Sequence, residues 1–155
     1  MRVELARQED LDQWLVLAAE VEHLFGPLVS DSRFPRAVMR NMDRGTAFCI
    51  RQDDGEPGVP LQAGMLFSAR PHIYKISWLA VTERCRRHGL ASALMRYVFD
   101  QVEPPAELSV ITFGPDVAGG EPARSFYMSA GFTPGETSPR GANGQSRQVF
   151  RMSIP

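Results

Sequence analysis

A buried-looking strand that runs through a tight Arg/Gly turn directly into a helix constrains this chain more than any other feature. The stretch is Trp78-Leu-Ala-Val-Thr-Glu-Arg-Cys-Arg-Arg-His-Gly-Leu-Ala-Ser-Ala-Leu-Met95. A helix start carries backbone N–H groups with no internal partner and the positive end of the helix dipole, so the junction aims donors at an anion. Gly89 lets a ligand approach the main chain closely, and Ala91 and Ser92 keep the first helical turn open on that side. Arg84, Arg86 and Arg87 supply positive charge around it. An arginine run on its own is more often a solvated face. Followed by Gly-Leu-Ala-Ser at a helix start, it reads as a phosphate cradle.

The rest of the chain supplies a sheet to carry this junction. Val3 to Ala6 reads as a short strand, and Glu9 to Phe25 carries apolar residues at 11, 14, 15, 18, 21 and 25, one face of a helix that Gly26-Pro27 ends. Phe34 to Met42 is a second, shorter helix before Gly45. Thr46 to Arg51 and Leu61 to Arg70 are strands joined by a Gly/Pro/Asp-rich hairpin loop over 52–60. Ile73 to Val81 follows as a strand, with Ile76, Trp78 and Ala80 expected on one face and Ser77, Leu79 and Val81 on the other. After the turn, Leu90, Leu94, Met95, Val98 and Val102 form the stripe of a helix that stops before Pro104-Pro105. Leu108 to Phe113 is a strand, and Pro122 to Ala130 is a helix closed by Gly131. Phe132 begins a return, Thr133 to Ser146 reads as a loop, and Gln148 to Ile154 is the last strand with Phe150, Met152 and Ile154 inward. The order β-α-α-β-β-β-α-β-α-β predicts an α/β (α+β) fold: one mixed, largely antiparallel sheet with helices on both faces.

Two motifs in this frame carry a family resemblance. Arg86-Arg87-His88-Gly89-Leu90-Ala91 follows an Arg-x-x-Gly-x-Ala pattern, and Ala123-Arg-Ser-Phe-Tyr-Met-Ser-Ala-Gly-Phe132 places Tyr127 ahead of Gly131-Phe132. In this order and separation they resemble the GNAT family of N-acetyltransferases, over nearly the whole chain. The resemblance implies that main-chain groups of Arg86, Arg87, His88, Gly89, Leu90, Ala91 and Ser92 hold the pyrophosphate of acetyl coenzyme A (acetyl-CoA), the co-substrate. It further implies that the strand ending at Val81 and the one starting near Leu108 splay apart, with the pantetheine arm along the backbone of Leu79, Ala80 and Val81. Tyr127 matches the family's thiolate-protonating tyrosine, and a backbone N–H such as that of Val81 would stabilise the oxyanion. On spacing alone Tyr127 is an ordinary core tyrosine.

The chain departs from the family pattern twice. Gly119-Gly-Glu-Pro122 stands where many members have an asparagine, and Arg124 is a candidate to replace that cofactor contact. Tyr74 to Val81 contains no carboxylate to act as base, which leaves Glu22, His23 and His72 as candidates, each equally a surface or helix-end residue. An α-amine with a pKa of about 8 needs no base, since a usable fraction is neutral.

Composition removes other classes. At 155 residues the chain is the size of a single domain, expected over 1–155. Net charge is -1, from 17 basic and 18 acidic residues, which argues against nucleic acid as a partner. Two cysteines and three scattered histidines lack metal-ligand spacing, so no metal is expected, and Cys85 among arginines reads as an incidental turn residue. The start of the chain has no apolar signal core and no run approaches the roughly 20 residues of a membrane span, so the expected location is the cytoplasm, with no membrane partner. No dinucleotide or P-loop glycine motif follows the first strand. A non-catalytic acyl-CoA-binding module of the same fold is the alternative, which would have no use for Tyr127. The acceptor expected is a small-molecule amine or a peptide N-terminus, and a homodimer is expected if the closing Phe150–Ile154 strand forms an exposed sheet edge.

Overall fold

The apolar alternation and the turn chemistry assemble into one seven-stranded sheet in a computed structural model that describes residues 1–155. The elements are β1 (Glu4–Leu5), α1 (Leu11–Glu20), α2 (Glu22–Phe25), α3 (Arg33–Arg44), β2 (Ala47–Arg51), β3 (Leu61–Ser68), β4 (Ile73–Val81), α4 (Leu90–Gln101), β5 (Ala106–Phe113), α5 (Glu121–Ser129), β6 (Thr133–Ser138) and β7 (Arg147–Ile154). Strand order is β1-β2-β3-β4-β5-β7-β6, with every neighbouring pair antiparallel except β4 and β5. The expected mixed, mostly antiparallel sheet between helices is therefore what forms. Its two faces carry separate cores. Leu94, Met95 and Val98 of α4 join Tyr127, Phe132 and Phe150 on one side, and Trp14, Leu17 and Val38 join Leu66 and Trp78 on the other. No helix is long and apolar enough to cross a membrane.

Four expectations change. The helix expected over Glu9 to Phe25 breaks at Val21, whose φ of -106° and ψ of 4° divide α1 from α2. The Thr133 to Ser146 loop contains β6, whose apolar signal is missing because it is an edge strand exposed along almost its whole length. In consequence β7 is not the edge strand: it lies between β5 and β6, and β6 pairs with it from Arg147 to Arg151, so the argument for a dimer through a closing edge strand loses its premise. The single-face assignment in β4 also fails. Leu66 pairs with Trp78 and Phe67 with Ile76, so Ser77 is an inserted residue, a β-bulge. Beyond it the strand's facing reverses, and Tyr74 and Ile76 enter the core under α4 while Trp78 and Ala80 enter the one under α1.

The parallel pair sets the shape of the site. β4 and β5 are paired from Ile73↔Glu107 only as far as Ile76↔Val110, although β4 continues to Val81 and β5 to Phe113. Past the bulge the two strands separate and open a cleft in the middle of the sheet.

Candidate active site

The cleft between the diverging strands has a volume of about 470 Å³. Leu79, Ala80 and Val81 line one side, Phe113, Ala123, Phe126 and Tyr127 the other, and Arg86, Arg87, Gly89, Leu90, Ala91 and Ser92 its floor. Most of the residues expected to hold the coenzyme, and Tyr127, therefore meet in one place, although they come from three separate segments. His88 and Arg124 do not line the cleft, nor do Arg84 and the candidate bases Glu22, His23 and His72. His88 is exposed on the turn and does not reach the cleft.

Backbone groups dominate the chemistry of this cavity. On the β5 side, β4 has no strand partner beyond Ile76, so its polar groups there face open space. Thr82 turns its N–H to Gln62 O at 2.8 Å on the β3 side. By strand alternation the N–H of Val81 points the other way, into the cleft. The Val81 carbonyl accepts from Arg86 Nε at 3.3 Å, which ties the turn to the end of the strand.

The turn itself is a concentration of unused donors. Glu83–Cys85 forms one 3-10 turn, after which Arg87 (φ 64°) and Gly89 (φ 82°) both adopt the left-handed conformation. These conformations turn the chain sharply into the start of α4, where its unpaired N–H groups collect. From Arg87 to Ser92 no main-chain N–H donates to an acceptor in the protein; the first bond of α4 runs from Ala93 to the Gly89 carbonyl at 3.0 Å. At Gly89 a Cβ would meet no atom within 4 Å, so the position is open space beside the helix start. The positive φ favours glycine there, and no protein atom fills the space beside it.

Tyr127 stands on the opposite wall with only 5% of its surface exposed. Its ring packs edge-on against Phe126, Phe132 and Phe150 at centroid distances of 5.3, 5.6 and 6.3 Å. Burial alone pushes the phenol's pKa above its ordinary value of 10, since no charged or hydrogen-bonding group of the protein opposes it. The hydroxyl is therefore protonated throughout the neutral range and is uncommitted to any protein acceptor.

Arg124 is held elsewhere than expected. Its Nη1 donates to Phe113 O at 2.8 Å and to Gln148 Oε1 at 2.7 Å, and the guanidinium lies 5.1 Å from the centre of the Phe150 ring. The last carbonyl of β5 needs a donor where the strand leaves its partner, and Arg124 meets that need instead of facing the cavity. The candidate bases are also dispersed. Glu22 accepts the Leu28 N–H at 3.1 Å, His23 is exposed, and His72 contacts Glu103 O at 3.0 Å at the start of β4, the end remote from the cleft.

Two links escaped the sequence reading. Thr82, buried at the corner between β4 and the turn, donates its hydroxyl to Glu20, with both carboxylate oxygens at 3.0 Å. A glutamate in the last turn of a helix opposes the dipole, and that unfavourable placement was the available signal. Gly120 is the second: a Cβ there would stand 2.6 Å from Phe113 Cβ, so glycine permits the turn before α5 to close on the cleft wall. Of the thiols, Cys49 is buried and its pKa is pushed up to about 12, while Cys85 lines the cavity. No group of three or more His, Cys, Asp or Glu side chains is placed to hold a metal ion.

Known proteins share this fold. A GNAT-family acetyltransferase from Bacillus cereus ATCC 10987 superposes with a TM-score of 0.74 at 16% identity, over 99% of this chain and 97% of that one. The Thermoplasma acidophilum PaiA N-acetyltransferase, solved with coenzyme A, gives 0.74 at 11% identity over 99% and 98%. Arabidopsis thaliana Naa50, solved with the bisubstrate analogue CoA-Ac-MVNAL, gives 0.73 at 16% over 99% and 98%. No curated protein matches the chain by sequence. These likenesses fix the fold, and residues 9–132 match the sequence model described as the acetyltransferase (GNAT) family. With four-fifths of its length under that match, the chain belongs to the GNAT family of acetyltransferases.

Proposed function

We infer that the protein is an acetyl-CoA-dependent N-acetyltransferase that moves an acetyl group to a primary amine by direct attack. The observation that carries this reading is the adjacency of two sets of unused backbone groups, the open side of β4 from Leu79 to Val81 and the N–H groups from Arg87 to Ser92. An extended pantetheine arm pairs with the first as an added strand would, and its pyrophosphate takes the second. Arg86 and Arg87 add charge at the phosphate end. Residues 1–155 would form a single catalytic domain, and the reaction would take place in the cytoplasm.

In the reaction, the neutral amine attacks the thioester carbonyl, and the Val81 N–H is available to the oxygen as it becomes negative. The C–N bond forms, the C–S bond breaks, and the departing thiolate takes a proton from the Tyr127 hydroxyl. The amine nitrogen sheds its proton to solvent, which also reprotonates the tyrosine. No lining residue is a carboxylate or histidine, so no base is assigned within the cleft. With acetyl-CoA alone, intact mass spectrometry is expected to detect no acetylated enzyme, and thiol release is expected only once an amine is added. An acetyl-enzyme formed at Cys85 would replace direct attack with a two-step mechanism.

Gly89→Val tests the phosphate turn. A β-branched residue at φ 82° is strained, and its methyls would occupy the space the pyrophosphate needs. The variant is expected to bind acetyl-CoA at least about 30-fold more weakly by calorimetry, equivalent to about 2 kcal/mol. Unchanged affinity would move the phosphate site elsewhere.

A further inference from the structure

We propose that the acceptor is a small primary amine with an aromatic or branched apolar body, and that the Phe25–Phe113 pair selects it. This rests on the acetyltransferase reading above and concerns the end of the cleft away from the phosphate turn. There Val21, Leu24 and Phe25 of the α1–α2 segment face Phe113 and Gly119. The Phe25 and Phe113 rings stack at 5.1 Å with 29° between their planes, and both line the cavity as one apolar pair.

The charge inventory of the cavity excludes polycationic acceptors. No Asp, Glu or Lys lines it, and its only ionised side chains are Arg86 and Arg87 at the phosphate end. Of the carboxylates on the flanking segments, Glu20 accepts the Thr82 hydroxyl, Glu22 the Leu28 N–H and Glu121 the Ser125 hydroxyl, and neither these nor Glu83 lines the cavity. A spermidine-like chain or an aminosugar with several ammonium groups would lose its hydration with nothing to replace it. A single amine in the same surroundings is held in its neutral, nucleophilic form, because desolvation disfavours the ammonium. The apolar wall thereby does the work for which no base is in place.

A different contact counts against a polypeptide acceptor. The loop over 139–146 rests directly on the end of α2: Asn143 Nδ2 donates to Leu24 O at 3.3 Å, and Gln145 Nε2 donates to the same carbonyl. A Cβ built at Gly26 would lie 3.4 Å from both Ala142 Cβ and Asn143 N. This contact joins the loop to the end of α2 beside the cavity, so a chain running between the two segments would have to part them.

The test is a three-amine comparison: thiol release from acetyl-CoA with 2-phenylethylamine, with spermidine and with a short peptide starting in methionine, alongside calorimetry of acetyl-CoA binding. The expected kcat/KM for 2-phenylethylamine exceeds the other two by about tenfold or more. Phe25→Ala is expected to raise KM for 2-phenylethylamine about tenfold and to leave coenzyme affinity unchanged. Phe25→Leu, which keeps the helix packing, is expected to give an intermediate KM. Spermidine or the peptide as the best acceptor would overturn the proposal, as would intact coenzyme binding with no transfer to 2-phenylethylamine. Both results leave the coenzyme reading standing, whereas absence of coenzyme binding removes that reading and the proposal together.

Discussion

Tyr127→Phe is expected to lower acetyl transfer by about 100-fold while leaving acetyl-CoA affinity within about twofold of wild type. The substitution removes one hydroxyl and keeps the ring that packs against Phe126, Phe132 and Phe150. That hydroxyl has no partner within the protein, so its loss leaves no buried group unpaired, and the variant should unfold within about 1 kcal/mol of wild type. Folding and catalysis are thereby separable in a single variant. The same burial predicts that the proton remains available well above neutrality, so transfer should not decline through deprotonation of Tyr127 as pH rises from 7 to about 9. Wild-type turnover in the folded variant would make the hydroxyl structural. Weakened coenzyme binding with unchanged turnover would assign it to positioning.

The second large effect lies outside the cleft. Asp10 is fully buried and receives Arg51 Nη2 at 2.7 Å, Arg51 Nε at 3.1 Å, the Arg7 N–H at 2.8 Å and the Gly58 N–H at 3.0 Å. Arg51, itself only 4% exposed, also donates to Glu4 Oε2 at 3.0 Å and to the Leu5 carbonyl at 3.2 Å. Asp10→Ala leaves a buried guanidinium short of its main partner and is expected to cost about 3–5 kcal/mol, or a Tm loss of roughly 10 °C. Adding Arg51→Met should recover part of the loss, because an apolar chain of similar volume leaves no charge behind. The pH dependence follows from the native carboxyl. Burial by itself would raise its pKa, but the Arg51 hydrogen bonds and the two backbone N–H groups outweigh that and hold it below the ordinary value. Its contribution is therefore complete above about pH 4, where the unfolded carboxyl is already ionised, and is lost as pH falls through the lower native value. Thermal unfolding of the two proteins should differ fully at pH 7 and converge as pH falls toward 2. A constant difference would mean that Asp10→Ala acts through a cavity instead of through charge.

Much of this architecture was legible because the informative signals are local. Gly89 and the arginines before it mark a helix start that needs an anion, and the apolar stripe of Leu90, Leu94, Met95 and Val98 says which face of that helix is buried. The β4 bounds at Ile73 and Val81 follow from clean alternation between turn signals. What sequence could not carry is set by partners across the sheet. The bulge at Ser77 depends on register against Phe67 and Leu66, and it reverses the facing that strict alternation assigns to Ile76. Residues 133–138 form a strand because β7 offers them an edge, with no apolar pattern of their own. Arg124 looked like a ligand contact because its neighbours match a motif, yet its guanidinium answers a carbonyl at the end of β5. Glu20 and Thr82 are 62 positions apart, a separation at which nothing in local patterning couples a helix end to a strand end.

Calorimetric titration of acetyl-CoA into the wild-type protein tests the central claim most directly, namely that the backbone donors from Arg87 to Ser92 and the open side of β4 form a coenzyme site. Saturable one-to-one binding is expected, weakening as ionic strength rises because Arg86 and Arg87 contribute charge at an exposed turn. Absence of binding, or binding of the same strength to Gly89→Val, would contradict it.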